Sequence, residues 1–227
     1  NRGILRGDLS GYDKKFELNK RNHIQFICWK IVCCWHRLYI QGVLGMYLIS
    51  AYFDENTNKI LKHLQQRIAD KTGNDFMIRN NVMPHLTISA IEARNVDVLI
   101  PEFEKVCREK LQPLEEKSVA NNTINIVSVG QLFPRVIYAA PVLNEYMMKL
   151  SISIYNEFAT IPETNISKFY QPYSWMPHIT LGKCLDKEQM KQAFAVLQDL
   201  FMPIDGQITK IGLSMVNPYR EVMSVVL

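Results

Sequence analysis

The stretch Met83-Pro84-His85-Leu86-Thr87-Ile88 returns as Met176-Pro177-His178-Ile179-Thr180-Leu181. This pair constrains the fold more than any other feature of the chain. In each copy a proline, which disfavours helix at the residue before it, leads into an apolar run rich in β-branched side chains, so both copies read as the start of a strand. Strand side chains alternate between faces. The histidine and the threonine two residues on therefore share one face, while Leu86 or Ile179 turns to the other.

The elements around the two copies recur in the same order. A strand, a helix, the motif strand, a second helix and a further strand are expected to begin near residues 46, 54, 85, 97 and 122, and again near 135, 144, 178, 186 and 205. The offsets between corresponding starts run only from 83 to 93 residues. Asp54, Asn144 and Asp186 stand where helix N-caps are needed, and Gly73 where the first helix should stop. Pro101 is tolerable in the second helix, expected over about Asp97–Lys110, only if it lies in the first turn. After the last helix, runs of about Pro203–Val216 and Tyr219–Val226 read as a hairpin around Asn217-Pro218. Two copies are too few for a solenoid. The expected architecture is an α+β fold built by internal duplication, with two antiparallel sheets facing a central cleft and helices on the outside. Its lobes cover approximately residues 46–134 and 135–227.

Composition fits a globular chain: 227 residues, 48% hydrophobic and 21% charged. The formal net charge of +4 is unevenly spread. Eight of the 26 Lys+Arg but only three of the 22 Asp+Glu fall in residues 1–45, which leaves 18 basic and 19 acidic residues for the rest. A broad basic face for duplex nucleic acid is not expected on the main body.

Residues 1–45 read as an N-terminal extension outside the catalytic domain, which is expected to span 46–227; a chain starting at Met46 is expected to be soluble and active. The apolar stretch Ile24–Leu48 is interrupted by Lys30, His36 and Arg37, against a membrane span. The five cysteines, Cys28, Cys33, Cys34, Cys107 and Cys184, are odd in number and irregularly spaced, which argues for a reducing, cytoplasmic setting. Cys28, Cys33, Cys34 and His36 fit no common zinc pattern, so no metal site is expected. His23, His36 and His63 are read as structural or surface residues.

Two histidines and two hydroxyls on one face suit hydrolysis of a phosphodiester, in which a base takes the water proton and an acid protonates the leaving oxygen. Two imidazoles supply both if one is neutral and one protonated, since free histidine titrates near pH ~6.5. Threonine hydroxyls can donate to the non-bridging oxygens and hold the phosphorus between them. The candidate catalytic residues are thus His85 and His178, with Thr87 and Thr180 binding phosphate. A lone strand histidine is usually structural; a matched pair in matched contexts is not.

Two apolar-flanked His-x-Thr motifs half a domain apart resemble the signature of the two-histidine (2H) phosphoesterase superfamily, with its RNA 2′,3′-cyclic phosphodiesterases and 2′-5′ RNA ligases. The resemblance covers about Met46 to Leu227. It implies a bilobal fold, no cofactor and no metal, and a metal-independent phosphodiesterase, expected to be a monomer, acting on the 2′,3′-cyclic phosphate of an RNA end or a nucleotide, with reversible 2′-5′ RNA ligation as a second activity. It also implies His178 as the base and His85 as the acid for ring opening, roles that pseudo-symmetry leaves exchangeable. Trp175 stands where the best-known members carry an arginine just before the second motif.

Tyr170, Tyr173 and Trp175 crowd the approach to that motif; Tyr173 and Trp175 are the candidates for stacking on a base. Arg79, Arg135 and Lys183 are candidates for phosphate contact. The alternative reading is a binding module or sensor for cyclic or 2′-5′-linked nucleotides that does not turn over.

Overall fold

The computed structural model describes residues 44–111, 122–132, 134–216 and 218–227. The expectations for residues 1–43, including Cys28, Cys33, Cys34, His23 and His36, fall outside the described residues. The chain is α+β. In order it forms β1 (Gly45–Phe53), α1 (Glu55–Thr72), the short α2 (Phe76–Arg79), β2 (Leu86–Ala93), α3 (Ile100–Val106), β3 (Thr123–Leu132) and β4 (Val136–Pro141). There follow α4 (Glu145–Phe158), the two-residue β5 (Asn165–Ile166), β6 (Ile179–Lys183), α5 (Lys187–Leu200), β7 (Ile204–Met215) and β8 (Arg220–Val226).

The helix starts follow from their caps. Side chains of Asp54, Asn144 and Asp186 accept from the backbone N–H groups of Thr57, Met147 and Gln189, satisfying donors that the first turn leaves orphaned. Gln189 returns a bond to the Asp186 N–H, completing a capping box. Gly73 closes α1 in the left-handed conformation at φ +68°. The helix expected over Asp97–Lys110 is instead broken into a 3₁₀ turn at Val96–Val98, α3, and a π turn at Cys107–Leu111. Pro101 sits in the first turn of α3, so the α-helix cannot begin as early as Asp97.

All pairings are antiparallel, and the eight strands belong to one sheet rather than two. The pairings β1–β2, β2–β6, β6–β4, β4–β3, β3–β7 and β7–β1 form a closed circuit, with β8 added to β7 and β5 to β2. The lobes expected at 46–134 and 135–227 describe the repetition in the chain but not the sheet. β3 pairs with β4 across that boundary, and β7 returns to pair with β1. Exchanging β1 with β4, β2 with β6 and β3 with β7 maps this circuit onto itself. The exchange turns the β2–β6 pairing onto itself.

That contact is a single bridge, Leu86↔Ile179. Both side chains are fully buried in the core, on the helix side of the sheet. Their neighbours along each strand therefore face the other way.

Candidate active site

The bridge fixes where the motif side chains lie. In an antiparallel pair with Leu86 across from Ile179, His85 stands across from Thr180, and His178 across from Thr87. All four share the face opposite the buried Leu86 and Ile179. Directly opposed Cβ atoms lie about 5 Å apart and diagonal ones about 7–8 Å, which sets the two imidazoles on a diagonal of this face.

Each ring is held the same way. The His85 Nδ1–H donates to the Met83 carbonyl at 2.7 Å, and the His178 Nδ1–H to the Met176 carbonyl at 3.0 Å. A carbonyl can only accept, so the proton of each neutral ring sits on Nδ1 and Nε2 keeps its lone pair. Among the described residues neither Nε2 has a protein partner, nor does the hydroxyl of Thr87 or Thr180. Burial lowers the pKa of both histidines, opposed in each by the bond to the carbonyl. His85 is lowered further by the charges of His178 and Lys183. The two imidazoles thus resist holding a proton each at the same time.

A bulge follows each threonine. Ser50 pairs with Thr87 but Ile49 with Ser89, leaving Ile88 as the extra residue; Tyr138 pairs with Thr180 but Ile137 with Gly182, leaving Leu181. A bulge interrupts the ladder, and the carbonyl of each threonine is taken by a side chain. Trp175 Nε1–H donates to Thr87 O at 3.0 Å, and Gln65 of α1 donates to Thr180 O at 3.2 Å. Trp175 is 6% exposed, which corrects its expected stacking role: the indole is consumed in fixing the first motif strand. Tyr173 is 85% exposed, in the left-handed region at φ +66°, and stays available to a ligand.

Two tyrosines escaped the sequence reading. Tyr52 lies 6.1 Å from His85 between ring centroids, and Tyr138 lies 5.7 Å from His178, edge-on. Each ring lies over a glycine of the next strand. A Cβ on Gly212 would stand 2.9 Å from Tyr52 Cε2, and one on Gly130 would stand 2.4 Å from the Tyr138 hydroxyl and 2.5 Å from Cζ. Glycines inside strands mark such close approaches, and that was the available signal. Burial and a hydroxyl contact of 3.3 Å with Tyr219 raise the Tyr52 pKa, so it remains a neutral phenol.

Of the expected cationic contacts, Arg135 donates to the carbonyls of Cys184 and Leu185, and Arg79 pairs with Asp75 at 3.3 Å. The first is tied to the backbone and the second to a surface carboxylate. Cys107 is buried, its thiol pushed up to about 12. His63 is exposed on α1. No group of three or more His, Cys, Asp or Glu among the described residues is placed to hold a metal ion. No helix among them is long and apolar enough to cross a membrane.

The family model described as the 2′-5′ RNA ligase superfamily matches residues 61–215, about two thirds of the chain and both motifs. The chain belongs to the 2′-5′ RNA ligase superfamily. No curated protein sequence matches it significantly. Among solved structures it is similar to E. coli LigT in its apo form, at 12% identity and a TM-score of 0.47, over 82% of this chain and 98% of that one. It is also similar to Kluyveromyces marxianus Usb1 with uridine monophosphate, at 13% identity and a TM-score of 0.41, over 82% and 99%. Within the superfamily fold, the paired His-x-Thr strands, their bulges and the two ring-on-glycine contacts lie together on one part of the sheet.

Proposed function

We propose that this protein is a phosphodiesterase that opens the 2′,3′-cyclic phosphate of an RNA end or nucleotide by acid–base catalysis between His85 and His178. The observation that carries this reading is the Leu86↔Ile179 bridge, because it sets two imidazoles with free Nε2 atoms and two hydroxyls on one face. Membership of the superfamily supports a phosphodiester substrate. Thr87 and Thr180 donate to the non-bridging oxygens, and the phosphorus sits near the axis relating the motifs.

The charges favour an assignment opposite to the one the resemblance implied. Burial lowers both rings and each opposes a charge on the other, but Lys183 acts on His85 and not on His178, so the single shared proton belongs on His178. His85 then takes the proton of the attacking water, and His178 gives one to the departing ribose oxygen. Water and the cyclic ester yield a ribose hydroxyl and a phosphate monoester, with the protons exchanged between the rings.

The pH profile of kcat/KM is expected to be bell-shaped with its maximum below pH ~6.5, because both free-enzyme pKa values are depressed below the ordinary histidine value. The kcat profile is expected to lie at higher pH, since a bound phosphate anion stabilises an imidazolium. A kcat/KM maximum at pH 8 or above would contradict the depressed pair. Activity is expected to survive EDTA; loss restored by Zn²⁺, Mn²⁺ or Mg²⁺ would instead indicate metal-assisted hydrolysis.

The deciding experiment incubates the protein with a panel of 2′,3′-cyclic phosphodiesters and resolves the products as 2′- or 3′-phosphates. Tight binding without any product would move the reading to a nucleotide sensor. A cytoplasmic setting and a monomeric state belong to the same proposal.

A further inference from the structure

The exchange that relates the two halves fails beside the histidines. The registers leave Tyr52 across from His85, one step beyond Ala51↔Leu86, and Ala140 across from His178, one step beyond Ala139↔Ile179. Tyr52 in turn pairs with Lys210 of β7, and Ala140 with Ser128 of β3. Where one half carries a phenol and an ammonium, the other carries a methyl group and a hydroxyl. β8, on the edge of β7 away from β1, has no counterpart in the circuit.

What β8 adds is a set of contacts that ends on the Tyr52 ring. Glu221 accepts from Ser224 at 2.9 Å and pairs with Lys210 at 3.0 Å. Burial opposes its charge, but those two bonds prevail and hold the carboxyl below its ordinary value. The tethered ammonium stands over the Tyr52 ring, 4.5 Å from its centroid, a cation on the negative face of a π system. Tyr219, just before β8, meets the Tyr52 hydroxyl at 3.3 Å. Tyr52 is thus held at its face and at its hydroxyl, and it is buried beside the His85 ring.

The imidazole needs this support. Its one protein hydrogen bond among the described residues, Nδ1–H to the Met83 carbonyl, fixes one atom and leaves the ring free to swing about it. Burial lowers the pKa of His85, and the charges that lower it further are those of His178 and of Lys183, the latter over the Phe76 ring at 5.6 Å. Lys210, neutralised by Glu221, reaches the imidazole through the tyrosine ring instead.

Resting on the reading of His85 as a catalytic base, we infer that Lys210 is a positioning residue: through the ring of Tyr52 it holds the His85 imidazole so that Nε2 meets the attacking water. In this role it touches no substrate, so it acts on turnover and not on binding.

The test uses cytidine 2′,3′-cyclic phosphate. Lys210→Met is expected to lower kcat about tenfold with KM little changed, a fraction of the loss that a misplacement of about 1 Å brings. Lys210→Arg should restore most of the rate, because a guanidinium also stacks on an aromatic face. Tyr52→Leu should be slowed at least as far, and adding Lys210→Met to it should cost nothing more, whereas a direct action of the charge on phosphate or imidazole would survive loss of the ring. Unchanged turnover, a change in KM alone, or an equal loss in the Tyr52→Leu background would overturn the inference. The imidazole proton resonances decide it without turnover: in Lys210→Met those of His85 should move by more than those of His178. Unmoved His85 signals would overturn the inference even in an active enzyme. Failure of wild type to open any cyclic phosphate would defeat the proposed function, while the resonances still decide whether Lys210 holds His85.

Discussion

Replacing His85 or His178 by alanine is expected to lower turnover of a 2′,3′-cyclic phosphate by about 10²–10⁴-fold, the usual value of a positioned acid or base. The double replacement should cost far less than the product of the two, because both rings act in one transition state. The limbs of the pH profile separate the roles. His85→Ala should lose the acidic limb, which reports protonation of the base, and His178→Ala the alkaline limb, which reports loss of the proton from the acid. The opposite pattern would return the base to His178. Thr87→Ala and Thr180→Ala leave the proton transfers in place and should weaken catalysis less. Near wild-type turnover by both single histidine variants would end the enzymatic reading altogether.

The second large effect concerns a residue that touches no substrate. In Gly130→Ala the new methyl group would fall within 2.4–2.5 Å of the Tyr138 hydroxyl and Cζ, so the ring must swing off β3. The ring lies 5.7 Å from the His178 ring, and the displacement passes to the imidazole. The expected cost is about 1–3 kcal/mol of stability from overpacking and about 10²-fold in kcat, since a misplacement near 1 Å is worth that much. Tyr138→Ala removes the obstacle, so adding Gly130→Ala in that background should change neither thermal stability nor turnover further. If Gly130→Ala were silent alone, or equally harmful without the tyrosine ring, the contact would not be what positions His178.

The placement of the motif residues was legible because proline, alternation and repetition all act locally. His85, Thr87, His178 and Thr180 meet on one face because each strand begins where its proline requires and alternates as any strand must. The caps at Asp54, Asn144 and Asp186 were readable for the same reason. What escaped the reading depends on contacts far apart in sequence. The Trp175 indole looked free for stacking because its acceptor, the Thr87 carbonyl, lies 88 residues away. The bulges at Ile88 and Leu181 exist only in the registers with β1 and β4. Tyr52 and Tyr138 read as ordinary strand aromatics, and only pairing with β7 and β3 reveals the glycines beneath them. The division of the sheet was missed for the same cause, since strand partners cannot be read from order alone.

That exchange of strands bears on how the chain acquires activity during synthesis. β1, beside the first motif, has β7 as its other neighbour, and β7 follows both motifs in the chain. A nascent chain that already carries both histidines still lacks the strand that closes the circuit. Contacts so distant in sequence form late, after shorter loops have closed. Under the proposed function, competence should therefore appear in one step, once β7 has joined β1, with no half-active precursor before it.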